Sequence, residues 1–162
     1  MNGSTDYEWE PDLATLPVAG RHFTEIVFFH RNSRTLILTD LIENFEVERL
    51  DSCVGRVLTL VGGVRHPDGQ MPRDMRRLFA LPPNRNDLRL AVEKMIGWAP
   101  ERVILAHGRW YGTEGAAELR RAFRWLIPSG MKSGRHTGAE ADADYRGFML
   151  HPVPKSYPCS RW

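Results

Sequence analysis

The chain has 162 residues, 42% of them apolar, and a net charge of +2. That length suits one domain with a buried core, and the near-balance of charge gives no electrostatic case for nucleic acid. No apolar run approaches the roughly 20 residues that a membrane helix needs.

The polar start, Met1 to Asp6, lacks the basic-then-apolar pattern of a secretion signal. Cys53 and Cys159 lie far apart and in no metal-type spacing. A reduced, cytoplasmic protein is therefore expected. Residues 1–20 are polar and acidic with Pro11 and Pro17, and read as an irregular lead-in. Residues 23–30 form a continuous apolar run, which predicts a strand covered on both faces. Arg31-Asn32-Ser33-Arg34 is the turn, and Thr35 to Thr39 the β-branched return strand. A turn centred on Asn32-Ser33 sets Val27 opposite Leu38 and Glu25 opposite Asp40, on one face of the hairpin. His22 would sit just beyond that pair.

Residues 45–61 show helical spacing, with Phe45, Leu50, Val54, Val57, Leu58 and Val61 on one inward stripe and Gly62-Gly63 as the stop. His66-Pro67-Asp68-Gly69 is a turn signature. Short helices are predicted at 72–80 and at about 87–98, the second capped by Asn84 or Asn86. Arg102 to Ala106 is a third strand, ending in His107-Gly108, and Thr113 caps a helix over 114–127. After residue 128 the period is lost, and the tail reads as loosely ordered. The pattern predicts an α/β domain over 21–127: a small mixed sheet packed with helices. Three strands are few for an independent sheet, so completion by a second copy or by a larger fold is expected.

Asp40 and His107 each follow an apolar strand and precede a loop, the place where ligands gather in open α/β sheets. If their strands are parallel neighbours, the two meet at one edge, with His22 and Glu25 entering from the same side. Two imidazoles with one or two carboxylates suit zinc, iron or manganese. The ordinary alternative is an aspartate bonding turn N–H groups and a loop histidine satisfied locally. His30 belongs to the opposite edge. His66, His136 and His151 are expected to be solvent-exposed, and Arg120, Arg121 and Arg124 to form a solvated basic face.

Phe28-Phe29-His30-Arg31, then Ser33 to Asn44, with Val103-Ile104-Leu105-Ala106-His107-Gly108 downstream, resembles an uncharacterised bacterial and plant family described as a domain of unknown function. That family in turn resembles the metallo-β-lactamase fold. The resemblance covers about residues 9–127. It implies a partial metallo-β-lactamase-like αββα sandwich, its C-terminal half. By position, the superfamily's later metal ligands would fall on His22, Asp40 and His107, with Glu25 and His30 as candidate supporting groups. The superfamily's main ligand run, His-x-His-x-Asp-His, has no counterpart in this chain. Two functions are implied. One is a degenerate or truncated, non-catalytic domain, whose partner is a second copy or a missing N-terminal half. The other is a metal-dependent hydrolase with one metal held by His22, Asp40 and His107.

Overall fold

A computed structural model of the chain describes residue 9, residues 11–80 and residues 84–127. Three strands come first: β1 (Leu13–Ala19), β2 (Thr24–His30) and β3 (Thr35–Leu38). A 3-10 turn, Val47–Arg49, leads into helices α1 (Cys53–Gly62), α2 (Arg73–Ala80) and α3 (Asn84–Gly97). Strand β4 (Arg102–Leu105) and helix α4 (Gly115–Ala122) follow. The strands make one mixed sheet in the order β1-β2-β3-β4, antiparallel except for the parallel pair β3 and β4. The predicted α/β class is therefore observed, with four strands among the described residues in place of three.

Strand β1 occupies part of the stretch read as irregular. Leu16 and Val18 are its buried positions, and Pro17 sits between them. A proline cannot donate to a sheet ladder and is confined to edges. β1 is an edge strand, so Pro17 is accommodated there while obscuring the strand signal in the sequence.

The doubly covered reading of β2 is also corrected. Glu25, Val27 and Phe29 are buried, whereas Thr24 and Ile26 are exposed, so the strand alternates. The hairpin register is as the turn predicts. Phe29 pairs with Leu36 and Phe28 with Ile37, and the same register carried on sets Glu25 opposite Asp40. Leu16, Val27, Leu36, Leu38, Val103 and Leu105 are buried strand residues, and cross-strand partners lie on the same face. Helix α3 packs against β1 and against both α2 and α4, contributing Leu88, Val92 and Met95 to the core. Phe79 of α2 and Leu119 of α4, each fully buried, complete that layer.

The helix expected over 45–61 begins only at Cys53. Residues 43–45 are drawn instead into bridges with Gln70, Gly108 and Arg65. Ser52 caps α1 by accepting from the Gly55 N–H. Gly63 ends it at φ 72, the left-handed conformation expected of glycine there. Its apolar stripe faces outward: Val54, Val57, Leu58, Leu60 and Val61 are 57–67% exposed, and the one buried residue of the helix is Thr59.

Two further boundaries differ. Helix α3 starts at Asn84. Helix α4 is preceded by Glu114 in the left-handed region, not by a Thr113 cap. The chain then continues in turns, where Phe123 and Leu126 are buried. The readings for residues 128–162, including His136, His151 and Cys159, lie outside the described residues.

Candidate metal centre

Parallel strands bring equivalent positions side by side. β3 and β4 pair Leu36 with Val103 and Leu38 with Leu105, and Ala106 N–H extends the ladder to the Leu38 carbonyl at 3.1 Å. Asp40 and His107 each stand two residues beyond the last pair. His107 Nε2 lies 3.2 Å from Asp40 Oδ1, and both side chains are close to half exposed. The meeting of these two residues at one sheet edge is thus as the sequence implies.

The third member of the cluster is Glu43. Its backbone exchanges hydrogen bonds with Gln70, both at 3.1 Å, which fixes the segment after Asp40. Asp40, Glu43 and His107 each present one ligand atom, all within 4.8 Å of one another. Two donors on one tetrahedral zinc lie about 3.4 Å apart, because each bond is roughly 2.0–2.2 Å. Small rotations of the exposed Asp40 and His107 would close that difference, and a histidine with two carboxylates is an appropriate donor set. Burial pushes the Glu43 carboxyl above its ordinary range; His107 draws it down, while Asp40 and Asp74 push it further up. A cation would relieve this crowding of negative charge.

Behind the rim stands Glu25, only 5% exposed. Its carboxylate accepts the Thr39 N–H at 2.8 Å and the Asp40 N–H at 3.1 Å. Burial raises its pKa; those two hydrogen bonds oppose the shift and the Asp40 charge adds to it. Glu25 therefore orients the backbone that carries Asp40. On the other side, the buried Asn44 ties the two strand-end loops together. Its N–H donates to the His107 carbonyl at 3.1 Å, its carbonyl accepts from Arg109 N–H at 2.8 Å, and its side-chain amide donates to the Arg109 carbonyl at 2.8 Å. Gly108, at φ 90, passes so close to the Asn44 backbone that no side chain would fit. The Phe45 ring stacks beside the His107 imidazole, with centroids 6.3 Å apart.

His22 lies in the exposed turn between β1 and β2 and is not a member of the cluster. That turn is tied to α2 by Arg21 N–H donating to the Leu78 carbonyl, 2.9 Å. His30 lies at the other end of the hairpin, where its Nδ1 is 2.7 Å from Ser33 Oγ. It supports the turn, away from the Asp40–His107 edge. Sequence reading missed Glu43. The available signal was the spacing Asp40-Leu41-Ile42-Glu43, in which two fully buried apolar residues anchor a loop flanked by carboxylates.

The basic run on α4 is only in part a solvated face. Arg121 is partly buried and bonds Asp68 at 2.5 Å, Glu118 at 2.7 Å and the Tyr111 hydroxyl at 3.0 Å. Arg124 reaches the other Asp68 oxygen at 2.8 Å. His66, expected to be exposed, is half-buried, and its Nδ1 is enclosed.

Comparison of the chain with protein-family models, with curated proteins and with solved structures finds no match.

Proposed function

We propose that this chain is a non-catalytic domain of metallo-β-lactamase-like ancestry that binds one divalent metal, zinc, iron or manganese, through Asp40, Glu43 and His107. The observation that carries the reading is the convergence of these three donors within 4.8 Å at the ends of two parallel strands. Glu43 here takes the place that the family resemblance would give to His22. The ancestry is supported by the sheet itself. Its outer positions, Ile26, Phe28, Ile37 and Ile104, are half-buried or exposed, as one half of an αββα sandwich would leave them. A non-catalytic role is supported by the openness of the rim. Asp40 and His107 are 42% and 49% exposed, so the water exclusion that strengthens electrostatic catalysis is weak there.

Calorimetric titration of the full chain with zinc and with manganese tests the reading. One cation per chain is expected, with affinity lost in Asp40→Ala and His107→Ala. Absence of binding, or binding indifferent to both substitutions, rejects it.

A second reading, a single-metal hydrolase, keeps the same three donors. Bound by Asp40, Glu43 and His107, a metal with free positions would supply an activated water at neutral pH. Metal-dependent turnover of ester, phosphodiester or β-lactam probes, abolished by His107→Ala, would select the hydrolase over the non-catalytic domain.

A further inference from the structure

Helix α1 is built the wrong way round for a surface helix. Its inward position is the polar Thr59, while Val54, Val57, Leu58 and Val61 stand outward at the i, i+3, i+4, i+7 spacing of a packing seam. We infer that this face is the interface of a twofold homodimer in which α1 of one chain packs antiparallel on α1 of the other. This inference is independent of the metal reading.

Three observations favour a second copy as the occupant. The first is area. With Leu60, the five side chains expose on the order of 500 Å², the upper range for the largest patch of a monomer. Two such faces together present on the order of 1,000 Å² of apolar surface, about the area that a specific interface should clear. The second is the arrangement of charge at the rim. The N-terminal end of α1 carries the exposed Glu48 and Asp51, with Arg49 between them and paired to Glu46, so the end is acidic on balance. The C-terminal end carries Arg73, whose Nη1 donates to the Val61 carbonyl at 3.0 Å. Antiparallel pairing sets Asp51 of each chain beside Arg73 of its partner, and opposes the two helix dipoles favourably. The third is the seam itself, which has no charged residue, so it is complementary to its own copy under a twofold axis. That axis passes between Val57 and Leu58, the middle of Cys53–Gly62.

Analytical ultracentrifugation over a wide concentration range tests the dimer. A reversible dimer is expected, with its dissociation constant raised at least 10-fold by Leu58→Glu. Because Leu58 is exposed in the single chain, the melting temperature of the monomer should not fall. Asp51→Arg and Arg73→Asp should each weaken the dimer, and the double exchange should restore it. Orientation is read by oxidation of single-cysteine variants. With Cys53 and Cys159 changed to serine, Val57→Cys should cross-link to its own copy, whereas a chain retaining only Cys53 should not. A chain that is monomeric at every concentration, a dimer indifferent to Leu58→Glu, a Cys53 cross-link without one at position 57, or a monomer that instead binds phosphatidylcholine vesicles would overturn the inference.

Discussion

Asp40 and His107, separated by helices α1, α2 and α3, occupy the same register position beyond the parallel strands β3 and β4, with His107 Nε2 3.2 Å from Asp40 Oδ1. The contact follows from strand direction. Only a parallel pair places the carboxyl ends of both strands at one edge, and the crossover that makes the pair parallel contains α1, α2 and α3.

The ligand assignment makes different demands on the two histidines that the sequence nominates. Zinc affinity should fall at least about 100-fold in His107→Ala and Asp40→Ala, and by roughly 10-fold or more in Glu43→Gln, by the magnitude usual for metal-site perturbation. His22→Ala should change it less than about 3-fold by the same scale. Isothermal titration of the four variants reads this directly. A loss in His22→Ala matching that in His107→Ala would return His22 to the metal and displace Glu43.

Gly108 should be the least replaceable residue near the site. Its φ of 90 strains any other residue, and a Cβ would overlap the Asn44 backbone. Gly108→Ala should cost about 3 kcal/mol or more, since the strain and the overlap add. Thermal melts followed by circular dichroism should show a drop on the order of 10 °C. A loss of only a degree or two would mean that the loops of Asn44 and Gly108 part easily.

Asp68 links α4 to the loop before α2. Burial alone would raise its carboxyl pKa, but hydrogen bonds from Arg124 and Arg121 outweigh that and hold it below the ordinary value. A carboxyl depressed on folding contributes stability that is present above its unfolded value, near 3.9, and lost as pH falls through the folded one. Asp68 is more than half exposed, so after solvent screening Asp68→Asn should cost about 1 kcal/mol or less at neutral pH. Urea unfolding should show that difference shrinking below about pH 4. A difference that persists there would point to hydrogen bonding rather than charge.

Tyr111 behaves in the opposite sense. Burial raises its pKa to about 12, Glu118 and Asp68 add to the shift, and Arg121 opposes it. A phenol raised on folding contributes stability that is full below its unfolded value of about 10 and lost as pH rises through the folded one. Ultraviolet titration of the native protein against Tyr111→Phe should therefore show the missing phenolate step near the alkaline end, with stability declining between about pH 10 and 12. A Tyr111 transition near pH 10 would show that its ring is open to water.

Local chemistry carried a large part of this fold. The hairpin turn at Asn32-Ser33, the glycine stop at Gly63 and the strand Arg102–Leu105 all lie where local pattern places them. Such features need only neighbours in sequence. Pro17 broke the apparent period of β1, and only the edge position of that strand makes the proline acceptable. The apolar stripe of α1 signalled burial, yet a stripe states only that a face is apolar, and cannot say whether its own chain or another copy covers it.

The site divides in the same way. That Asp40 and His107 would end strands, and that Glu25 would stand opposite Asp40, follows from alternation and turn position, which are short-range properties. The pairing of β3 with β4 as parallel neighbours, the inclusion of Glu43 and the exclusion of His22 from the cluster depend on contacts between distant segments. Gln70 holds Glu43, and Asn44 holds the loop of Gly108. Sequence by itself determined β2, β3, β4 and the approximate places of the helices, though not β1 or the start of α1, and which polar groups stand at their ends, because backbone preference and period are local. Only the tertiary structure decided which of those groups meet, because strand order and loop closure come from burying the whole core at once.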